Sequence, residues 1–406
     1  MCAEPIQREA VVEAPPWKTD VPRVSVILAC RCEVKNIREA LGSILGQEPP
    51  EGGFEIIVAD GMSDDGTREI LQEIANRDRR VRVIDNPAKF TSAGLNAAIA
   101  ASLGSILLRM DAHTIYAPDY VRQCVAVLQA TGADNVGGAW VALAENYVGA
   151  AAAAAFQSRF AVGSARSHLP KYEGEVDSVY LGCWKREAFE RFGGFDESLV
   201  RNQDDEHNLR IIRSGGRVWQ SAKIRSWYQS RTSLQGLFRQ YLQYGYWKVQ
   251  VIRKHRKPAS WRHLVPGLFV LALLILVAGW VGGAVASYYC PSKNVADWIV
   301  RRAVNPSFWM LAVLSSLYAI ALLLASLLTA GRTQWKFLPV LPLIFGCYHF
   351  GYGLGFLRGT ADLLLRRSPP NAMVGLTREI PHVRPLAADC GRAQIRPQHA
   401  GDRQGP

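Results

Sequence analysis

Ile106-Leu-Leu-Arg-Met-Asp-Ala-His-Thr-Ile-Tyr116 is an apolar run that ends abruptly in Asp111, Ala112 and His113. It is short and follows the turn sequence Leu103-Gly104-Ser105, so it reads as a buried strand. Such a strand delivers polar groups at its carboxyl end, where open α/β sheets bind substrates. Residues two apart on extended backbone point the same way, so Asp111 and His113 could grip one divalent cation. A solvated aspartate and a surface histidine at a strand end is the plainer reading. The flanking chain decides between them.

Upstream, Val24 to Ala29, Phe54 to Ala59 and Val81 to Ile84 read as strands. Between them, Ile37 to Leu45 (Asn36 near the cap), Thr67 to Ala75 and Thr91 to Leu103 read as helices. This alternation predicts a mostly parallel sheet with helices on both faces. Glu33 falls just past the first strand, Asp60 at the end of the second and Asp111 at the end of the fourth. Three acids at one sheet edge suit a polar ligand with a metal. Asp60 beside Gly61 also suits a turn, and Asp64 and Asp65 suit helix capping.

Downstream, Pro118 to Ala130 reads as an amphipathic helix, Val136 to Val141 as a glycine-interrupted strand, and Tyr147 to Ala165 as an Ala-rich helix. Gly193-Gly-Phe-Asp196 makes a tight turn, and Gln203-Asp-Asp-Glu-His207 follows. Three consecutive acids either complement a helix dipole or include a general base, which must be ionised and within reach of substrate. Ser233 to Val251 carries Arg239, Gln243, Tyr246 and Trp247 on a predicted helix. That density suits stacking on a sugar and pairing with phosphate, and it equally suits a helix lying on a membrane surface.

The 406 residues exceed one ordinary core, and 47 Lys+Arg against 35 Asp+Glu give a formal charge of +12. That charge suggests an anionic neighbour. Nucleic acid fits poorly, because the basic residues are scattered or gathered beside apolar segments rather than on an aromatic face. Eight cysteines without a CxxC pair suit reduced thiols and a cytosolic face. Met1 to Val21 is polar and Pro-rich, with no apolar secretory core.

Leu264 to Ala286 and Phe308 to Leu328 are uncharged and long enough to cross a bilayer. Leu338 to Leu357 is a third apolar segment, broken by prolines and glycines. The basic cluster Arg253-Lys-His-Arg-Lys257 suits anionic headgroups and places the start of the first span in the cytoplasm. A third crossing would leave Arg358, Arg366 and Arg367 outside, against the charge bias, so that segment is either re-entrant or an exception.

The ordered set Val24-Ser-Val-Ile, Asp60-Gly-Met-Ser-Asp-Asp-Gly-Thr67, Gly94-Leu-Asn96, Asp111-Ala-His113, Gly193-Gly-Phe-Asp196 and Gln203-Asp204-Asp205 resembles the inverting family 2 glycosyltransferases with the GT-A fold. The nearest look is to bacterial exopolysaccharide glucosyltransferases of the succinoglycan type, also through the His349 to Gly359 segment. The resemblance implies a Rossmann-like α/β domain followed by C-terminal transmembrane helices. The expected divisions are a loose arm (1–22), the GT-A unit (23–251), a basic juxtamembrane segment (252–263), a membrane region of about three helical segments (264–357) and a polar tail (358–406).

The resemblance further implies that Asp60, Glu33 and Asn96 lie at the nucleotide-sugar and Asp111 at its ribose and diphosphate. His113 stands where most members carry the second metal-binding aspartate, so the cofactor is a divalent cation, Mn²⁺ or Mg²⁺, and imidazole favours the former. Asp204 matches the general base, with Asp205 as its rival because Gln203 replaces a glutamate. Gln243, Tyr246 and Trp247 occupy the place of the Gln-x-x-Arg-Trp motif of polymerising relatives, and with Arg239 would meet the acceptor or diphosphate. The implied partners are a nucleotide-sugar such as UDP-glucose, a polyprenyl-linked saccharide, membrane lipids and other exopolysaccharide-assembly proteins, at the inner membrane with the catalytic domain cytoplasmic. A polyprenyl-phosphate sugar synthase, a processive synthase and an inactive glycan-binding scaffold are the alternatives; three spans are few for a polymer channel.

Overall fold

The computed structural model describes residues 22–289 and 305–375, except 145, 164 and 230. The expected arm through residue 21, the loop between the first two apolar segments and the tail beyond 375 lie outside the described residues.

The amino-terminal half alternates β1 (Val24–Cys30), α1 (Ile37–Leu45), β2 (Phe54–Asp60), α2 (Thr67–Arg77), β3 (Val81–Asp85), α3 (Thr91–Ala101) and β4 (Ile106–Arg109). The four strands are parallel neighbours in the order β3-β2-β1-β4. β2 is buried along its whole length, as an interior strand of a sheet covered on both sides is. Alternate residues of β1 serve opposite faces. Val24, Val26 and Leu28 pack with α1 and α4 (Tyr120–Thr131), and Ile27 packs with Leu95, Trp184 and Phe189. Truncating a fully buried aliphatic such as Ile27 to alanine costs about 2–5 kcal/mol.

The sheet is mixed rather than parallel throughout. β9 (Tyr180–Lys185) inserts antiparallel between β4 and β6 (Asn135–Gly138), and β10 (Val218–Gln220) and β8 (Gly174–Glu175) complete it. A second, three-stranded sheet contains β5 (Thr114–Tyr116), β11 (Ser226–Gln229) and β7 (Val141–Leu143).

Three expectations change here. The 106–116 stretch is two strands in different sheets, with Met110 to His113 as the turn between them. The 136–141 stretch also splits between the sheets, because a Cβ on Gly138 would lie 2.2 Å from the Ile224 carbonyl and the chain can cross there only as glycine. The 147–165 helix breaks into α5 (Tyr147–Phe156) and α6 (Arg159–Val162), restarted where Ser158 Oγ accepts from the Phe160 amide.

After α7 (Arg186–Phe192), α8 (Gln203–Arg213) and the long α9 (Leu234–His255) come α10 (Val265–Tyr289), α11 (Pro306–Arg332), α12 (Leu341–Leu364) and the single-turn α13 (Asn371–Val374). Among the described residues, Trp261–Ala286 and Pro306–Arg332 are long and apolar enough to cross a membrane. Only 11% and 6% of their most apolar stretches are buried, which sets them apart from the core helices of a soluble domain. α12 is different: glycines let it lie directly on α9. A Cβ on Gly355 would sit 1.9 Å from the Leu242 carbonyl, and one on Gly245 would sit 2.0 Å from that of Tyr352.

Candidate active site

Register places the site. Cys30 of β1 lies opposite Asp60 of β2, and Ile27 opposite Arg109 of β4, so the carboxyl ends of these parallel strands share one edge. The loops leaving that edge are tied together. Cys32 N–H donates to Ser63 Oγ at 2.9 Å and Glu33 N–H to Thr67 Oγ1 at 2.8 Å. Across the edge lies the amino end of α8, carrying Asp204 and Asp205. A cleft of about 960 Å³ runs between them. That is the upper end of the range for small-molecule sites.

Glu33, Asp111, His113, Asp204 and Asp205 all line this cleft. The turn that presents Asp111 is fixed by Tyr116, whose hydroxyl accepts the Asp111 amide at 2.6 Å and donates to its carbonyl at 3.2 Å. Glu33 is nearly buried and accepts from Asn36 Nδ2 at 3.0 Å, so Asn36 orients the acid instead of capping α1.

The structure adds a residue to which no role was assigned from the sequence. Arg109, 5% exposed, donates from Nε to Asp111 Oδ1 at 3.1 Å and pairs through its other arm with Asp204. One guanidinium thus joins the strand-end turn to the helix start. The signal was present: a lone charge at the end of an apolar strand must find partners or unfold it.

The two aspartates of α8 have different environments. Burial raises Asp204 to a pKa of about 6, against the opposing pull of Arg109. Asp204 nevertheless keeps 35% of its side chain exposed, on the cleft side, so it is both accessible and near-neutral in its titration. Burial would raise Asp205 too, but Lys248 Nζ at 2.6 Å outweighs it and holds the carboxyl below its usual range. Lys248 itself is buried on α9. The third acid, Glu206, is fully buried and faces inward, on Arg210, Lys254 and His255.

The other expected site residues lie elsewhere. Asp60 is fully buried at the strand edge but turns its carboxylate onto Ser63 and Arg68. Asn96 brackets the 193–196 turn, accepting the Phe195 amide and donating to its carbonyl, both at 2.8 Å. Gln243 donates to the carbonyls of Ala372 and Gly375, Trp247 to that of Met373, and Tyr246 to Asp362 of α12. These three residues clamp α9 to the segments behind it. Arg239 is exposed on the same helix, outside the cleft lining.

Asp111 and His113 offer a carboxylate oxygen and an imidazole in one turn, a donor set that a divalent cation of intermediate softness accepts. Among the described residues no group of three or more His, Cys, Asp or Glu could hold a metal ion. The pair therefore fits a cation only if ligand oxygens supply most of the coordination.

At the far end, the cleft is lined by Val265, Pro266 and Phe269 of α10, Tyr318 of α11 and Tyr348, His349 and Tyr352 of α12. Its lining extends from the strand edge to the apolar helices.

The sequence profile of Glycosyl transferase family 2 matches residues 25–161. The chain is similar to the succinoglycan biosynthesis protein ExoA of Rhizobium meliloti (strain 1021), with 31% identity over 70% of this chain and 93% of that protein. It is also similar to a dolichyl N-acetyl-alpha-D-glucosaminyl phosphate 3-beta-D-2,3-diacetamido-2,3-dideoxy-beta-D-glucuronosyltransferase of Methanococcus voltae, with 24% identity over 62% of this chain and 81% of that one. Among solved structures, the mannosyltransferase PcManGT from Pyrobaculum calidifontis, in complex with GDP-Man and Mn²⁺, aligns with a TM-score of 0.49 and 19% identity over 84% of this chain and 89% of its own.

Proposed function

Because the chain belongs to glycosyl transferase family 2 and is a glycosyltransferase, we propose that it moves a hexose from a nucleotide-sugar, UDP-glucose or similar, to a polyprenyl-linked saccharide in exopolysaccharide assembly, with inversion at the anomeric carbon. The observation that carries this reading is the bridge from Asp111 through Arg109 to Asp204. It ties the turn carrying Asp111 to the helix start carrying Asp204, which supports a donor-side group and a base acting in one cleft.

Asp204 is the general base. At neutral pH its carboxylate is ionised and takes the proton of the acceptor hydroxyl. The acceptor oxygen bonds to the anomeric carbon as the bond from that carbon to the diphosphate oxygen breaks. The electron pair leaves with the nucleoside diphosphate. Arg109 keeps the base ionised and fixes its direction. Asp205, neutralised by Lys248, holds the start of α8 against α9. Glu33 and Asp111 face the nucleotide, and Asp60 shapes the loop beside it. A divalent cation, Mn²⁺ or Mg²⁺, would be held by Asp111 and His113 with phosphate oxygens, and would stabilise charge on the leaving diphosphate.

A lipid-linked acceptor is supported by the cleft's opening onto α10 and α11, and by the exposed apolar surface of those helices, Leu268, Leu271, Ile275, Leu317, Ile320 and Leu324 among it. In this reading the chain is a multi-pass protein of the inner membrane, with residues 23–251 on the cytoplasmic side, a basic juxtamembrane stretch at 252–263 and the membrane region from 264 to 357.

The deciding experiment is transfer from UDP-glucose to an isoprenoid-diphosphate-linked hexose by the detergent-solubilised protein, compared with Asp204→Asn. Product formation that falls at least about 100-fold in the variant supports the reading. Equal turnover removes Asp204 as the base.

A further inference from the structure

Three side chains lining the cleft hold polar atoms withdrawn from solvent with no hydrogen-bond partner among the described residues: Trp140 Nε1, His168 Nδ1 and Tyr352 OH. They come from three separate places in the chain, the crossing between β6 and β7, the turn after α6, and α12. The rings are packed in register. Trp140 stacks on Tyr180 at 5.4 Å with planes 5° apart, and His168 meets Phe156 edge-on at 4.3 Å.

An unpaired buried polar group costs about 1–3 kcal/mol. Three on one cavity wall are costly, and apolar rings of the same shape would avoid that cost. Their polarity is also of one kind. Burial, with the Arg262 cation nearby, lowers His168 to a pKa of about 4, so its imidazole is neutral at physiological pH. An indole N–H, a neutral imidazole and a phenol carry no positive charge to favour phosphate over a neutral partner. They match hydroxyl groups on a ring, and the aromatic faces around them match its C–H surface.

A saccharide in this cleft could be the donor's sugar or the acceptor's. The nucleotide end is marked by Glu33, Asn86, Lys89 and Asp111 at the strand edge, whereas Tyr352 shares α12 with the segment against the apolar helices. We propose that Trp140, His168 and Tyr352 form the acceptor-sugar subsite, each turning its polar atom into the cavity by a side-chain rotation when the saccharide enters. The proposal rests on the glycosyltransfer reading and adds where, and through which groups, the acceptor sugar is held.

His168→Phe and Tyr352→Phe test it, because each keeps the ring and removes the polar atom. Kinetics would use UDP-glucose with an isoprenoid-diphosphate-linked hexose, alongside thermal unfolding of each variant. The expected result is an acceptor KM raised about three- to tenfold per lost hydrogen bond. The donor KM should change less than twofold, and the unfolding temperature should stay the same or rise, since a buried group without a partner has been removed. A donor KM that rises in step assigns the subsite to the donor sugar and overturns the proposal. An unchanged acceptor KM in both variants overturns it too. If the unaltered protein transfers nothing to this acceptor, the proposed function fails first, and nucleotide release with free saccharides as acceptors would then show whether the subsite reading survives alone.

Discussion

Arg109 pairs with Asp204 across 95 positions of chain, and the same guanidinium carries Asp111 on its other side. The turn carrying Asp111 and the start of α8 carrying Asp204 are therefore one electrostatic unit, and changes to any member should be read through the other two.

Asp204→Asn should lower kcat by at least about 100-fold with little change in donor KM, the usual loss for a missing general base. Asp205→Asn should act differently. It frees Lys248, a buried cation, so the unfolding temperature should drop along with the rate. Steady-state kinetics beside thermal unfolding separates the two; equal kinetic losses without any stability loss at Asp205 would make it a second candidate for the base.

The rate should depend on pH through Asp204. With a pKa of about 6, the base is protonated and inactive below that value and ionised above it, so kcat/KM should rise with pH through an acid limb centred near 6. Arg109→Gln removes the cation that favours the ionised form, and the limb should move upward by about one unit or more. A limb at the same pH in the variant would dissociate Arg109 from the titration.

Chelation by excess EDTA should abolish transfer, and Mn²⁺ should restore it at least as well as Mg²⁺, because His113 supplies a nitrogen. His113→Asp, an all-oxygen pair, should shift the preference toward Mg²⁺. Full activity in EDTA would take Asp111 and His113 off the ligand set.

Gly355→Val should force α12 off α9, since even a Cβ there would overlap the Leu242 carbonyl. Overpacking of this kind costs about 1–3 kcal/mol. Lys248, on the uncovered α9, would lose the packing that seats it beside Asp205. The expected outcome is a lower unfolding temperature in detergent and a reduced kcat; a variant matching the parent in both would show that the two helices are not mechanically joined.

Much of the fold was readable because its signals are local. The four parallel strands are short runs rich in Val, Ile and Leu, and β2, β3 and β4 have Asp60, Asp85 and Asp111 at or just past their ends. The start of α8 was legible as an acidic cluster. What was not legible depends on contacts remote in sequence. Gln243 and Trp247 look like ligand residues on a helical wheel, yet they are spent on the backbone of Ala372 to Gly375. Asn96, in a motif, is spent on the 193–196 turn. Lys248 and Arg109 were visible as charges but not as partners of Asp205 and Asp204, since nothing in spacing reports which elements face one another across a cleft.

The glycine-mediated seat of α12 on α9 bears on how the protein can be handled. A soluble fragment ending near residue 263 would retain the whole α/β unit but strip the cover from one flank of α9, including the bare backbone at Gly245, and would remove Tyr352 from the chamber. Because α12 packs on α9 and lines the cleft through Tyr352, cutting away the hydrophobic half for convenience would also remove part of the cleft wall.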